Sequence, residues 1–239
     1  EAKQKSADTD AILARSIEGA KNITLGYFFH TSAQEVGHLT EQQITAGEKD
    51  IANSRFQMVR MQKGANESFL IHAYAAQPSL TQFSSVTRNS GFFNAFPDSD
   101  GTIRWSNLVI KSRGNYYTSL ALSLLIQYLD WPTAILNIAD YGVDGITLDK
   151  LRIPTDEGGR LIINYLGPGK TFPHYAVSDI LGGRLPADMF KGKIVLVGVT
   201  TTGIYDIRVT PFSAVFPGVE IHATVIDNIL HQYFLIHSD

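Results

Sequence analysis

The sequence of 239 residues contains no cysteine. This absence excludes disulfides, thiolate zinc sites and cysteine nucleophiles together. It leaves the compartment open, because a chain without cysteine is compatible with either the cytosol or the periplasm.

Charge is also sparse: 18% of the residues are charged, and the net charge is -3. No block of lysine and arginine occurs, which argues against nucleic acid as a partner. Long hydrophobic runs are missing too, and the longest candidate, Leu120–Leu129, is interrupted by Ser123 and Gln127 and is too short to span a membrane. No signal peptide is recognisable. The 44% of hydrophobic residues indicates a globular domain with a sizeable core.

The stretch Phe190–Tyr233 predicts the centre of the fold. Its run Ile194–Val199 is apolar and β-branched without alternation, which favours a central strand buried on both faces. A loop rich in Thr and Gly follows, and Pro217-Gly218 then opens a helical pattern over Val219–Tyr233. The predicted fold class is α/β, with three layers: a mostly parallel central sheet and helices on both faces.

The first residues predict half of a βαβ unit. A helix that starts at Asp8 or Thr9 and runs through Lys21 is followed at once by a strand at Asn22–Phe29. The preceding half-unit is not in the sequence, so we expect a single domain over residues 1–239 that is truncated at its N-terminus.

One antiparallel hairpin is expected in the otherwise parallel sheet. Its strands are Gly91–Phe96 and Ile103–Ile110, and the Asp100-Gly101 pair between them is a strong turn signal. The remaining predicted elements are helices at Thr40–Asn53, Gln77–Thr87, Tyr116–Leu129 and Tyr175–Leu181, and strands at Ser68–Ala75, Ile146–Ile153 and Arg160–Leu166.

The carboxyl end of the predicted central strand is the best candidate for a ligand site, because ligands of open α/β sheets lie there. Hydroxyl and carboxylate groups cluster at this point. The candidate ligand-binding residues are Thr200, Thr201, Thr202, Tyr205 and Asp206. The alternative is a strand-to-loop transition whose hydroxyls bond only to the local backbone.

Templates for catalysis and for cofactors or metals are incomplete. Leu166–Thr171 ends in Gly-Lys-Thr like a phosphate loop, but Asn164 stands where the motif needs glycine, which favours a structural loop. Asp98 and Asp100 are explained by a turn, in which Arg104 could pair with one of them. No H-E-x-x-H pair and no G-x-S-x-G elbow occurs. We therefore predict no catalytic residue, no cofactor and no metal ligand.

The last predicted helix has an apolar stripe beside a polar one. Val219, Ala223, Ile226 and Leu230 form the apolar stripe. Glu220, Thr224, Asp227 and His231 repeat the same spacing one residue on. This pattern predicts a half-buried helix with a solvated edge.

Several motifs occur in an order typical of one family. They are G-F-F-N-A-F-P-D-S-D-G-T-I-R at Gly91–Arg104, Y-T-S-L-A-L at Tyr117–Leu122, I-N-Y-L-G-P at Ile163–Pro168, F-P-H-Y-A-V-S-D-I-L-G-G at Phe172–Gly183, F-K-G-K-I-V-L-V-G at Phe190–Gly198, and T-P-F and P-G-V-E-I-H-A-T-V-I-D-N-I-L within Thr210–Leu230. In this order the chain resembles the second type of CHASE domain, the cyclase/histidine-kinase-associated sensory extracellular domain.

The resemblance implies the periplasmic sensor domain of a bacterial inner-membrane receptor. Its cytoplasmic output would be a nucleotide cyclase such as adenylate cyclase, a histidine kinase or a similar enzyme, with no catalysis in this domain. The implied partners are an unknown small-molecule or environmental signal, a second copy in a homodimer, and the membrane through flanking transmembrane helices outside this chain. Two alternatives stay open: a small α/β hydrolase or phosphotransferase, and a module that only dimerises.

Overall fold

The structure, a computed structural model, describes residues 8–186, 188–200 and 206–236. Their helices are α1 (Thr9–Ala20), α2 (Ala33–Val36), α3 (Glu41–Asp50), α4 (Thr81–Ser84), α5 (Leu120–Tyr128), α6 (Val177–Leu181) and α7 (Gly218–His231). Their strands are β1 (Thr24–His30), β2 (Met58–Met61), β3 (His72–Ala73), β4 (Ala75–Gln77), β5 (Asn89–Phe92), β6 (Trp105–Asn107), β7 (Val109–Ser112), β8 (Asn115–Thr118), β9 (Ala134–Ala139), β10 (Gly142–Leu148), β11 (Leu151–Ile153), β12 (Arg160–Ile162), β13 (Ile207–Thr210) and β14 (Ser213–Pro217).

The strands form several small mixed sheets, with the orders β4-β1-β5, β11-β10-β9-β2, β3-β7-β8, β12-β6 and β13-β14. Parallel pairing joins β1 to β5, β2 to β9 and β3 to β7. The other described pairings are antiparallel. The α/β class is confirmed, whereas a mostly parallel central sheet in three layers is not.

The predicted central strand Ile194–Val199 is wrong. The segment has no regular secondary structure, and it pairs with no strand among the residues that the structure describes. Ile194 and Leu196 pack on the main core, whereas Val197 is 86% exposed. The segment is therefore not buried on both faces. β-branched residues favour extended backbone, yet a strand also needs a neighbouring strand to bond to, and no local pattern specifies that neighbour.

The predicted hairpin Gly91–Ile110 is also wrong. Its turn is present, since the N–H of Gly101 donates to the carbonyl oxygen of Asp98 at 2.8 Å and Gly101 has a φ of 83°. The flanking strands diverge, because β5 joins β1 in one sheet while β6 pairs with β12 and β7 with β8. The turn is a local feature, but strand pairing is a long-range one.

Predictions that rest on local signals hold better. The side chain of Asp8 accepts from the N–H of Ala11 and caps α1, and Lys21 ends that helix in the left-handed region with a φ of 61°. The strand predicted at Asn22–Phe29 is confirmed as β1. Of the helix predicted at Tyr116–Leu129, the first residues belong to β8, and α5 begins only after Ser119, whose hydroxyl accepts from the N–H of Leu122.

The main core lies between α5, α7 and the sheet of β9 and β10. Leu122 and Leu125 of α5, Leu136 of β9, Ile146 of β10 and Val225 of α7 are all fully buried there. A second, aromatic cluster packs where β1, β5 and β8 approach each other, and it contains Tyr27, Phe29, Phe92 and Tyr117. The helix α7 therefore forms part of the main core and is not an appendage.

Candidate functional site

The structure describes two of the five residues predicted to bind a ligand. Thr200 is exposed and directly follows Ile194–Val199, and Asp206 precedes β13. Thr201, Thr202 and Tyr205 lie outside the described residues. The ligand site at Thr200–Asp206 thus stays a prediction.

Asp206 has a structural task at the beginning of α7. Its carbonyl oxygen accepts the N–H of Gly218 at 2.8 Å, and its side chain accepts a backbone hydrogen bond from Val219. Burial raises the pKa of Asp206, while the guanidinium of Arg208, 3.4 Å away, and the Val219 bond oppose that rise. A carboxylate at this position also stabilises the positive end of the helix dipole.

Glu220, in the first turn of α7, binds the loop Leu166–Thr171 and the residue that follows it. Its carboxylate accepts the N–H of Lys170 at 2.7 Å and that of Phe172 at 3.3 Å, and its side chain is only 1% exposed. The Nε2 atom of His174 lies 3.5 Å from the same carboxylate. These backbone amides are the groups that a phosphate would need, so the structure favours the structural-loop alternative.

The predicted solvated edge of α7 is therefore wrong over its first two turns. Glu220 and Thr224 are both 2% exposed, and the hydroxyl of Thr224 donates to the carbonyl oxygen of Glu220. Only the last two members of the stripe, Asp227 and His231, are accessible. A loop from elsewhere in the chain covers the edge, which helical periodicity cannot reveal.

Asn228 makes a second connection between α7 and the chain before the loop. Its Oδ1 accepts the N–H of Asn164 at 2.8 Å, and its Nδ2 donates to the carbonyl oxygen of Asn164 at 3.0 Å. The side chain thus makes the two hydrogen bonds with Asn164 that the backbone of an adjacent strand would make. Asn228 is fully buried, so α7 is connected to residues 164–172 through buried polar contacts at two levels.

The carboxylates of Asp98 and Asp100 form hydrogen bonds that stabilise the turn in which they lie. Arg104 donates to Asp98 at 2.8 Å and to both oxygens of Asp100 at 3.0 and 2.7 Å. The bonds from Arg104 and from the Thr102 backbone hold the pKa of Asp100 well below its usual range. Asp98 and Asp100 are thus engaged in a structural turn, as the composition predicted. Among the described residues, no group of three or more His, Asp or Glu side chains could hold a metal ion.

A cavity of about 400 Å³ opens where β6 meets β12. Its lining residues are Trp105, Pro154, Thr155, Asp156, Glu157, Arg160, Ile162, Leu235 and Ile236. Ligand cavities typically begin at roughly 300 Å³. Sequence reasoning missed this site because it depends on the pairing of Trp105 with Ile162 across 57 residues of chain. The strand at Arg160–Leu166 was predicted, but the strand that pairs with it was not.

The cavity holds aromatic, charged and apolar groups together. The guanidinium of Arg160 lies 4.8 Å from the ring centroid of Trp105, and its Nε donates to Asp156 at 2.6 Å. Asp156 also accepts the backbone N–H groups of Gly158 and Arg160, so the turn is held in one geometry. This rigid turn presents the charged side of the cavity, and Leu235 and Ile236 form its apolar side.

Because of His222 on α7, we expect the stability of the domain to decrease at acidic pH. Burial, with a smaller effect from Arg208, lowers its pKa to about 4, against about 6.5 in an unfolded chain. Below pH 6.5 the unfolded state binds a proton that the folded state does not. The free energy of unfolding should therefore fall as the pH falls from 6.5 to 4, by about 2 kcal/mol at pH 5. Asp206, whose pKa is raised, contributes with the opposite sign.

Urea unfolding midpoints at pH 7 and pH 5, measured for the wild type and for His222→Gln, test this expectation. The variant should lose less stability between the two pH values, because it lacks the group that titrates there. All other groups, Asp206 and Arg208 included, are common to both proteins. Parallel loss in the two proteins would contradict the expectation.

Together these features define a mixed α/β domain with a rigid core, a ligand-sized cavity and a C-terminal helix bound into that core. Comparison with family models identifies it further: the CHASE2 domain model matches residues 1–238, so the chain belongs to the CHASE2 family. CHASE2 domains are sensory extracellular domains of signalling receptors. Comparison with curated proteins and with solved structures found no match.

Proposed function

We propose that this chain is the periplasmic input domain of a bacterial inner-membrane receptor, with no catalysis of its own. The observation that carries the proposal is the family match over residues 1–238. The cytoplasmic output would be a nucleotide cyclase, such as an adenylate cyclase, a histidine kinase or a similar signalling enzyme. Flanking transmembrane helices would hold the domain at the membrane. No helix in the described part of this chain is itself long and apolar enough to cross one.

The helix α7 is the element that we propose transmits the signal. It runs from the capping carboxylate of Asp206 to Gln232, where the backbone turns left-handed with a φ of 56°. Its middle is part of the main core, and Glu220 and Asn228 connect it to residues 164–172. A packed helix with few polar attachments can switch between discrete arrangements, and a ligand that prefers one of them shifts the population.

The location can be tested by cysteine labelling, because this domain has no cysteine of its own. In the full-length receptor, Ser85→Cys places a thiol at an exposed position after α4. A maleimide that cannot cross membranes should label it in intact cells whose inner membrane is closed, and mass spectrometry should find the label in this peptide.

Ser123→Cys is the matched control, because Ser123 is only 1% exposed on α5. This thiol should react only after denaturation. If Ser85→Cys is labelled only once the inner membrane has been permeabilised, the domain is cytoplasmic and the proposal is wrong.

A further inference from the structure

We propose that the cavity between β6 and β12 binds a free α-amino acid with an apolar side chain. This inference rests on the proposed function in one respect, since it names the chemical class of the signal that the sensor would read. The binding itself follows from the groups that line the cavity.

Arg160 is the group that would hold the carboxylate. Its Nε is engaged with Asp156, and the stack on Trp105 orients its plane. Among the described residues, the Arg160 side chain contacts Asp156 through its Nε and the ring of Trp105. Its two terminal nitrogens have no hydrogen-bond partner among these residues. An oriented guanidinium with unused donors is well suited to carboxylate recognition.

Glu157 is the group that would hold the ammonium. It follows Asp156 in the same turn, lines the same cavity and is exposed. Its carboxylate forms no ion pair within the described part of the chain, whereas Asp156 is already neutralised by Arg160. A guanidinium with unused N–H donors and an unpaired carboxylate, both lining one cavity, favour a ligand that carries a carboxylate and an ammonium.

Unpaired polar atoms mark the same region. Among the buried side-chain polar atoms that the structure describes, Asn107 Nδ2 and Thr155 Oγ1 have no hydrogen-bond partner. Thr155 lines the cavity, and Asn107 pairs directly with Arg160 across β6 and β12. Buried polar groups are nearly always paired, so these two exceptions mark a polar region beside the cavity.

The apolar side of the cavity selects the side chain of the amino acid. Pro154, Ile162, Leu235 and Ile236 supply it, and Ile236 is 83% exposed without a ligand. A bound apolar side chain would cover part of this surface. Since Leu235 and Ile236 follow α7, a ligand here contacts both the rigid turn and the segment that leaves the helix.

Tryptophan fluorescence reports on this site directly, because the chain has only two tryptophans. The Trp131→Phe variant has Trp105 as its single tryptophan. Trp131 does not line the cavity, so its replacement leaves the site unchanged. Titration with leucine, isoleucine, valine or phenylalanine should change its emission saturably, and calorimetry should give the same affinity. Leucinamide, which lacks the carboxylate, and N-acetylleucine, which lacks the ammonium, should each bind at least about tenfold more weakly.

Arg160→Gln should weaken leucine binding at least about tenfold, and Glu157→Gln should weaken it while changing only an exposed side chain. Arg152→Gln is the matched control, because Arg152 lies on the nearby β11, pairs with Asp144 and is outside the cavity. Its affinity should equal that of the wild type, and circular dichroism should show all three variants folded.

Absence of saturable binding by all four amino acids at millimolar concentration would overturn the proposal. Equal binding of leucine and N-acetylleucine, or binding that neither Arg160→Gln nor Glu157→Gln weakens, would overturn it as well. These measurements use the isolated chain and no membrane. A negative result therefore removes the amino acid as ligand, whereas only the labelling experiment decides whether the domain faces the periplasm.

Discussion

Replacing Gly91 with alanine is expected to lower the free energy of unfolding by about 3 kcal/mol or more. A Cβ at this position would lie 2.6 Å from the Cα and 2.7 Å from the nitrogen of Leu120, and 2.8 Å from the carbonyl carbon of Ser119. These are backbone atoms, which cannot rotate aside as a side chain can. Either β5 or the beginning of α5 must move, and α5 carries Leu122 and Leu125 into the main core.

Thermal unfolding measures this effect, and a loss of this size should lower the melting temperature by roughly 6–12 °C in a domain of this length. Gly19→Ala is the matched control. A Cβ there has no atom within 4 Å, and the residue lies inside α1, so the control should be neutral or stabilised by about 0.5–1 kcal/mol. Equal melting temperatures for Gly91→Ala and the wild type would contradict this expectation, because they would mean that β5 and α5 can move apart without a loss of stability.

Replacing Asn228 with alanine is expected to cost about 2–4 kcal/mol. The change removes both hydrogen bonds to the backbone of Asn164, and it leaves a space at a fully buried position. The N–H and C=O groups of Asn164 then lose a partner that water replaces poorly in the core. Urea unfolding should show the loss as a lower midpoint.

Asp227→Ala, one residue earlier on α7, is the control for the general effect of alanine in this helix. Asp227 pairs with the largely exposed His231 at 3.1 Å, and such a surface pair contributes less than about 1 kcal/mol. Asn228→Asp keeps the acceptor for the N–H of Asn164 but loses the donor, and it should therefore also destabilise the fold. A loss in Asn228→Ala no larger than that in Asp227→Ala would contradict the role assigned to Asn228.

Elements whose signals are local could be predicted from the sequence. The boundaries of α1 follow from the capping carboxylate of Asp8, and the turn at Asp98–Gly101 follows from its glycine and carboxylates. The range predicted for the last helix, Val219–Tyr233, agrees with α7 to within two residues at each end. In each case the determining contacts lie within a few residues of each other along the chain.

The two wrong strand predictions share one cause. Ile194–Val199 was predicted to lie in the middle of a sheet, and the strands on either side of the Asp98–Gly101 turn were predicted to pair, in each case from the pattern of the segment itself. β-propensity describes how a segment fits a pleated surface, not which segment lies next to it. Pairing across dozens of residues is decided by packing of the whole core.

The functional assignment divides in the same way. Ordered motifs along the chain were sufficient to indicate the CHASE2 family, because membership of a family is judged from residues in their order along the sequence. The ligand cavity could not be found this way, since Trp105 and Arg160 meet only through the pairing of β6 with β12. The candidate residues Thr200–Asp206 were chosen from the predicted central strand, and that premise did not hold.

The composition class, the capped start of α1, the turn at Asp98–Gly101 and the family could all be inferred from the order of residues in the chain. Tertiary structure alone decided which strands pair, that Glu220 and Asn228 of α7 are buried, and that an aromatic and charged cavity lies beside the end of that helix. Capping and turn formation need only near neighbours, whereas burial and pairing bring together groups that are far apart in the chain.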